Sequence, residues 1–133
     1  MTSVQIWTDS RYPVSRKRMR LVVEKVIHDE QVTSPVTVSI AVVGDRKMRK
    51  LNLTYHETDA TTDVLSFPYT DPLSQKDRGK FIVPPEEGII LGDIVISYPQ
   101  AVKQAQEKNR LVDDELDFLV THGMGHLFGH HHE

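Results

Sequence analysis

The sequence predicts an α+β fold in which a small mixed β-sheet packs with helices, as one domain over residues 1–133. Three observations carry that reading. A segment at residues 36–43 alternates apolar and small or polar residues with the period of a strand. Two regions, after Pro13 and from Tyr98 onward, repeat their apolar residues at helical spacing. Hydrophobic residues at 38% and charged residues at 26% suit an ordinary folded domain.

Along the chain, residues 4–7 (VQIW) read as an opening strand. Pro13 then stands ahead of an amphipathic helix, with Met19, Val22, Val23, Val26 and Ile27 on one face and Arg16, Lys17, Arg18 and Arg20 in its first turns. The second strand places Val36, Val38, Ile40 and Val42 on a core. Gly44 and Asp45 close it, and Asp45 is expected to cap a helix over about residues 46–55 with Met48 and Leu51 inward. Residues 64–67 (VLSF) form a short strand stopped by Pro68, and the polar run at 69–80 reads as a loop. In GIILGDIVIS, Gly92 and Asp93 interrupt a β-rich segment, which implies a bulge, a bend or two strands meeting. Two helices follow, over about 98–110 and 112–128, the second opened by Asp113, Asp114 and Glu115, whose charge suits a helix N-terminus.

Composition excludes several functions. A net charge of -3 provides no global positive field for nucleic acid, so any such contact must use a local patch. The basic clusters at 16–20 and 46–50 read as solvated helix faces unless they flank a cleft. With no cysteine there is no disulfide partner and no thiolate, which leaves histidine and carboxylate for a transition metal. No apolar run approaches a membrane span and no signal-like segment opens the chain, so a cytoplasmic location without a membrane partner is expected.

Five of the seven histidines lie in the last twelve residues, HGMGHLFGHHHE. His122 and His126 are one helical turn apart, which presents both imidazoles on one face to a single ion. Gly129 can end the helix in a left-handed conformation and let the chain turn back, so that His132 becomes a third ligand, with His130 and His131 as competitors. Three nitrogens with one open position make a catalytic Zn2+ site, in which the ion lowers the pKa of water to about 7. The spacing matches the zinc motif H-E-x-x-H-x-x-G-x-x-H, except that Gly123 stands at the Glu position, so the helix brings no proton-handling carboxylate beside the metal. Gly123 and Gly125 each cost roughly 1 kcal/mol in a helix interior, which implies close packing or room for a substrate. Glu115, seven residues before His122, is too far along the helix to be a ligand and reads as a solvated charge with no assigned role.

Two further blocks, LNLTYHETDATTDVLSFP at 51–68 and LGDIVIS at 91–97, precede the histidines. In this order the three blocks resemble the YbeY family of bacterial endoribonucleases, over about residues 51–133. The resemblance implies a zinc-dependent site, single-strand-selective RNA cleavage, and a role in ribosomal RNA maturation and quality control with the small ribosomal subunit. It maps the metal ligands onto His122, His126 and His132 and the helix-ending glycine onto Gly129. Where the family usually has Arg after the tyrosine of the first block, this chain has His56, the catalytic candidate by position. An imidazole can donate to a phosphate or shuttle a proton but lacks the permanent fork of guanidinium, and the alternative reading of His56 is a surface loop histidine. The family also commonly has Asp before the third histidine, where His131 stands here. The strand at 64–67 is expected to line the metal cleft beside the last helix, with Asp63 and Ser66 supporting it. Two other readings keep the metal: a metalloprotease-like hydrolase, and a non-catalytic, metal-stabilised ribosome-assembly factor.

Overall fold

A computed structural model describes residues 2–69 and 88–129. In chain order these form β1 (Thr2–Thr8), α1 (Arg16–Asp29), β2 (Val36–Val43), α2 (Asp45–His56), β3 (Val64–Pro68), β4 (Ile89–Ser97), α3 (Tyr98–Lys108) and α4 (Val112–Leu127). The strands make one mixed sheet in the order β1-β2-β4-β3, with β1, β2 and β4 parallel and β3 antiparallel to β4. The fold is α+β, as expected from the sequence. All eight elements lie within a residue or two of their expected positions, while the 69–80 loop falls almost wholly outside the described residues.

Alternation in β2 and β4 creates the main core. Val36, Val38, Ile40, Val42, Ile94 and Ile96 point to one face and are each at most 1% exposed. Met19, Val23 and Ile27 of α1, Ala101 of α3, and Leu116, Leu119, Val120 and Met124 of α4 close over that face. Each fully buried side chain of this kind contributes roughly 1.5–3 kcal/mol, which is how the helical stripes become fixed on the sheet. Ser15 caps α1 by accepting from the Arg18 N–H at 3.2 Å.

The opposite face is only partly covered. Met48 and Leu51 of α2 pack over Val43, Val95, Leu65 and Phe67. Beyond them Ser3, Gln5 and Trp7 of β1 and Asp93 of β4 are exposed.

The interruption in β4 is a bulge. Thr37 pairs with Ile90 and Val38 with Gly92, which leaves Leu91 as the extra residue. Gly92 has φ +143°, and a Cβ there would overlap the Phe67 carbonyl oxygen and approach Pro68 Cα to 2.9 Å. Only glycine lets β3 lie against β4 at this point.

The expected cap of α2 is corrected. Gly44 is the N-cap, with no side-chain bond, and Asp45 is the first helical residue. Its carboxylate instead accepts from Ser97 Oγ at 2.8 Å, Thr61 Oγ1 at 3.0 Å and Gln100 Nε2 at 3.2 Å. Three donors, brought together from distant parts of the chain, outcompete one local N–H.

Candidate functional site

The i, i+4 spacing on α4 sets His122 and His126 side by side, with ring centroids 4.5 Å apart and planes at 49°. Both are half-buried. His122 stacks on Phe118 one turn earlier at 6.1 Å and 23°. The Phe118 ring in turn lies under Lys108 Nζ at 4.6 Å and Arg110 Cζ at 5.7 Å. These same cations reach Glu115, Lys108 Nζ to Oε2 at 3.2 Å and Arg110 Nη1 to Oε1 at 3.5 Å.

Glu115 is therefore not a solvated charge. It is 0% exposed, because the turn from α3 into α4 folds Lys108 and Arg110 over it. Arg110 is an ion-pair partner to Oε1, yet that buried oxygen accepts no hydrogen bond among the described residues. Sequence spacing alone gave no sign of this cluster, since the cations come from the end of the preceding helix and from the turn after it.

The glycines divide the two roles expected of them. A Cβ at Gly123 would meet Ile94 Cγ2 at 2.9 Å and Cδ1 at 3.2 Å, so glycine lets α4 sit against β4. Among the described residues a Cβ at Gly125 would meet nothing within 4 Å, so none of them fills that side of the helix. After the cap at Phe128, Gly129 takes φ +86° and donates its N–H to the His126 carbonyl at 2.9 Å. The left-handed residue that ends the helix is thus present.

Two neighbouring imidazoles are suitable donors for zinc, and their ring spacing is compatible with one shared ion. Among the described residues no group of three His, Asp or Glu side chains gathers into a metal site. His132, the expected third ligand, lies outside the described residues, as do His130 and His131.

β3, the outermost of the described strands on its side, borders the histidine helix. Successive residues point to opposite faces: Ser66 Oγ donates to the Gly123 carbonyl at 3.3 Å, while Phe67 turns to α2. Asp63 accepts from the Val64 N–H at 2.8 Å and from Gln104 Nε2 at 3.0 Å, which ties the start of β3 to α3. Both residues thus brace the strand. His56 is the last residue of α2 rather than part of a loop, and it is exposed. It stacks on Phe67 at 6.1 Å, beside Tyr55, which meets the same ring edge-on at 5.1 Å. His56 and the α4 pair accordingly flank opposite faces of β3.

The first basic cluster is partly consumed by structure. Arg18 binds Asp114 at 2.6 Å and Asp117 at 2.7 Å, which holds α1 to α4 and raises the guanidinium pKa still further. In the second cluster Arg49 binds Asp59 at 2.7 Å. Among the described residues, no helix is long and apolar enough to cross a membrane.

Comparison with known proteins places the chain. The family described as Endoribonuclease YbeY matches residues 5–133. An endoribonuclease YbeY from Roseiflexus sp. (strain RS-1) is 44% identical over 111 residues, a match spanning 84% of this chain and 66% of that protein. Its counterpart from Roseiflexus castenholzii is 36% identical over 133 residues, spanning 100% of this chain and 80% of the relative. One from Bacillus cereus is 36% identical over 115 residues, 86% of this chain and 71% of its own. A solution structure from Thermotoga maritima shares the fold, with a TM-score of 0.58 at 24% identity over 98% of this chain and 75% of that one. With its three sequence blocks set around β3 and α4, the chain belongs to the YbeY family of endoribonucleases.

Proposed function

We propose that this chain is a metal-dependent endoribonuclease that cleaves single-stranded RNA in ribosomal RNA maturation and quality control, in the cytoplasm and in contact with the small ribosomal subunit. The observation that carries the reading is the pair of half-buried imidazoles 4.5 Å apart on α4, beside the β3 edge, in a chain of this family. His122, His126 and His132 would hold one Zn2+. Bound there, the ion would supply Lewis acidity toward water and a phosphoryl oxygen at neutral pH.

The remaining work belongs to the chain's own groups. Stacking on Phe118 restricts rotation of the His122 ring, which lowers the entropy lost on ligation. Ser66 fixes the helix to the strand at Gly123. No described residue crowds Gly125, which would let a substrate come close to the helix backbone there. The outer edge of β3, which pairs with no strand among the described residues, offers backbone groups along which an extended strand can align. His56 donates an N–H to a substrate phosphate from the α2 side. Selection for single strands follows if the bases must lie flat against such an edge, since a duplex keeps them stacked inside. A peptidase reading is disfavoured because Gly123, packed on Ile94, stands where that chemistry keeps a glutamate.

The test uses the purified chain with single-stranded and duplex RNA of the same sequence. Cleavage of the single strand that stops on chelation and returns with Zn2+ is expected. RNA left intact by the metal-loaded protein, or cleavage indifferent to chelation, would contradict the proposal.

A further inference from the structure

A cavity of about 600 Å³ lies between α2 and the end of β1, on the half-covered face of the sheet. Trp7, Arg46, Lys47, Lys50, Leu51 and Tyr55 line it. Its aromatic residues are unusually open, Trp7 at 56% and Tyr55 at 62% exposure. Folding gains little from leaving two large rings in water, and each offers a face for stacking.

The charge there is one-sided. Arg46, Lys47 and Lys50 form no ion pair among the described residues, unlike Arg49 on the same helix. The acid at the rim, Asp9, is already bound by Arg11 at 2.8 Å, which holds its pKa down at about 2. Gly44 contributes to the wall, so the N-terminus of α2 opens there with no capping side chain, while Asp45 is turned away toward Ser97 and Gln100. The positive end of the helix dipole adds to the three cations. In a chain of net charge -3 this is a local positive site with aromatic faces.

We infer that this cavity is a second binding site for single-stranded RNA, taking phosphates on Arg46, Lys47 and Lys50 and stacking bases on Trp7 and Tyr55. The inference rests on the proposed RNA-cleaving function and assigns that RNA a path. Sequence-tolerant binding of single strands needs just this combination of a cationic track and exposed rings. The cavity runs along α2 to Tyr55, which packs on Phe67 of β3, and the neighbouring Ser66 touches α4 at Gly123. A strand held along α2 is thus led to the β3 edge, on whose other side the histidine pair lies.

Trp7 is the single tryptophan of the chain, so its fluorescence reports on this end of the cavity and on the adjoining groove over β1, β2 and β4 that it also lines, and the Arg46, Lys47 and Lys50 variant separates the two. The probe is a short 2′-O-methyl RNA oligonucleotide, titrated with parallel anisotropy and recovered after each titration to verify that it stays intact. Quenching of Trp7 is expected in the wild type and equally in His126→Ala, with no quenching by the duplex form. Replacing Arg46, Lys47 and Lys50 together with Ala, at exposed positions, should weaken binding roughly tenfold or more and reduce the log–log salt slope by about 2. Arg49→Ala, beside them on the helix and bound to Asp59, should leave both unchanged. Trp7 unmoved by the oligonucleotide, or a triple variant with unaltered affinity and slope, overturns the inference. Quenching by polyglutamate but not RNA overturns it in favour of an acidic protein partner. Because the probe is not cleaved, Trp7 quenching without catalysis sinks only the nuclease reading, and catalysis with Trp7 silent sinks only this one.

Discussion

At Gly123, the distances to Ile94 decide what a methyl group would do. Ile94 is β-branched and 0% exposed, so it has little freedom to retreat from a Cβ at 2.9 Å. Overpacking of about 1–3 kcal/mol outweighs the helix-propensity gain of about 1 kcal/mol, and Gly123→Ala should lower stability to urea. Gly125→Ala, which no described residue crowds, should instead raise stability by up to about 1 kcal/mol in the same titration. Glu115 gives a second contrast. Replacing Lys108 and Arg110 together with Met strands a buried carboxylate and should cost about 3–5 kcal/mol, more than Glu115→Gln, which removes the charge itself. Tyr98 stacks on Tyr12 at 4.8 Å, and burial, then Asp113, raises its pKa above 10.0. The neutral phenol is thus favoured by folding, so its contribution is complete below pH 10 and is lost as pH rises through the folded value. Thermal melts across that range should show this loss in the wild type and a smaller one in Tyr98→Phe. In the sequence, both glycines already carried a helix penalty that needed a cause, but only the neighbour at each Cβ distinguishes packing from space. Glu115 was misread because its burial depends on a turn that returns Lys108 and Arg110, not on the α4 pattern.

Strands and helices were legible wherever one face repeats. The alternation of β2 and the stripe of α1 each have a single solution, because a shift of register would expose the whole apolar set. Short-range competition was less legible. Asp45 read as a cap, yet Ser97, Thr61 and Gln100 take its carboxylate from outside the helix. For β4, Gly92 left a bulge, a bend or two strands meeting open, and the approach of Phe67 explains why a bulge occurs. Gly92→Ala should therefore cost about 3 kcal/mol by adding backbone strain to overlap with Phe67, and hydrogen exchange should quicken in β3 before β2.

Across the whole molecule, sheet order is what places the chemistry. Nothing in local periodicity specifies β1-β2-β4-β3, but that order puts β3 outermost among the described strands, with α2 on one face and α4 on the other. The His122–His126 pair needed only a helix and was legible, whereas the place of His56 on the far face of β3 required the tertiary fold. The Trp7 cavity was illegible for the same reason, as its walls are distant in sequence. The most direct test of the metal-nuclease account measures zinc content and single-stranded RNA cleavage on one folded preparation of His126→Ala beside the wild type. The account predicts about one ion per chain and cleavage in the wild type, and loss of both in the variant with its melting curve retained. Cleavage that persists in a folded, zinc-free variant would contradict it.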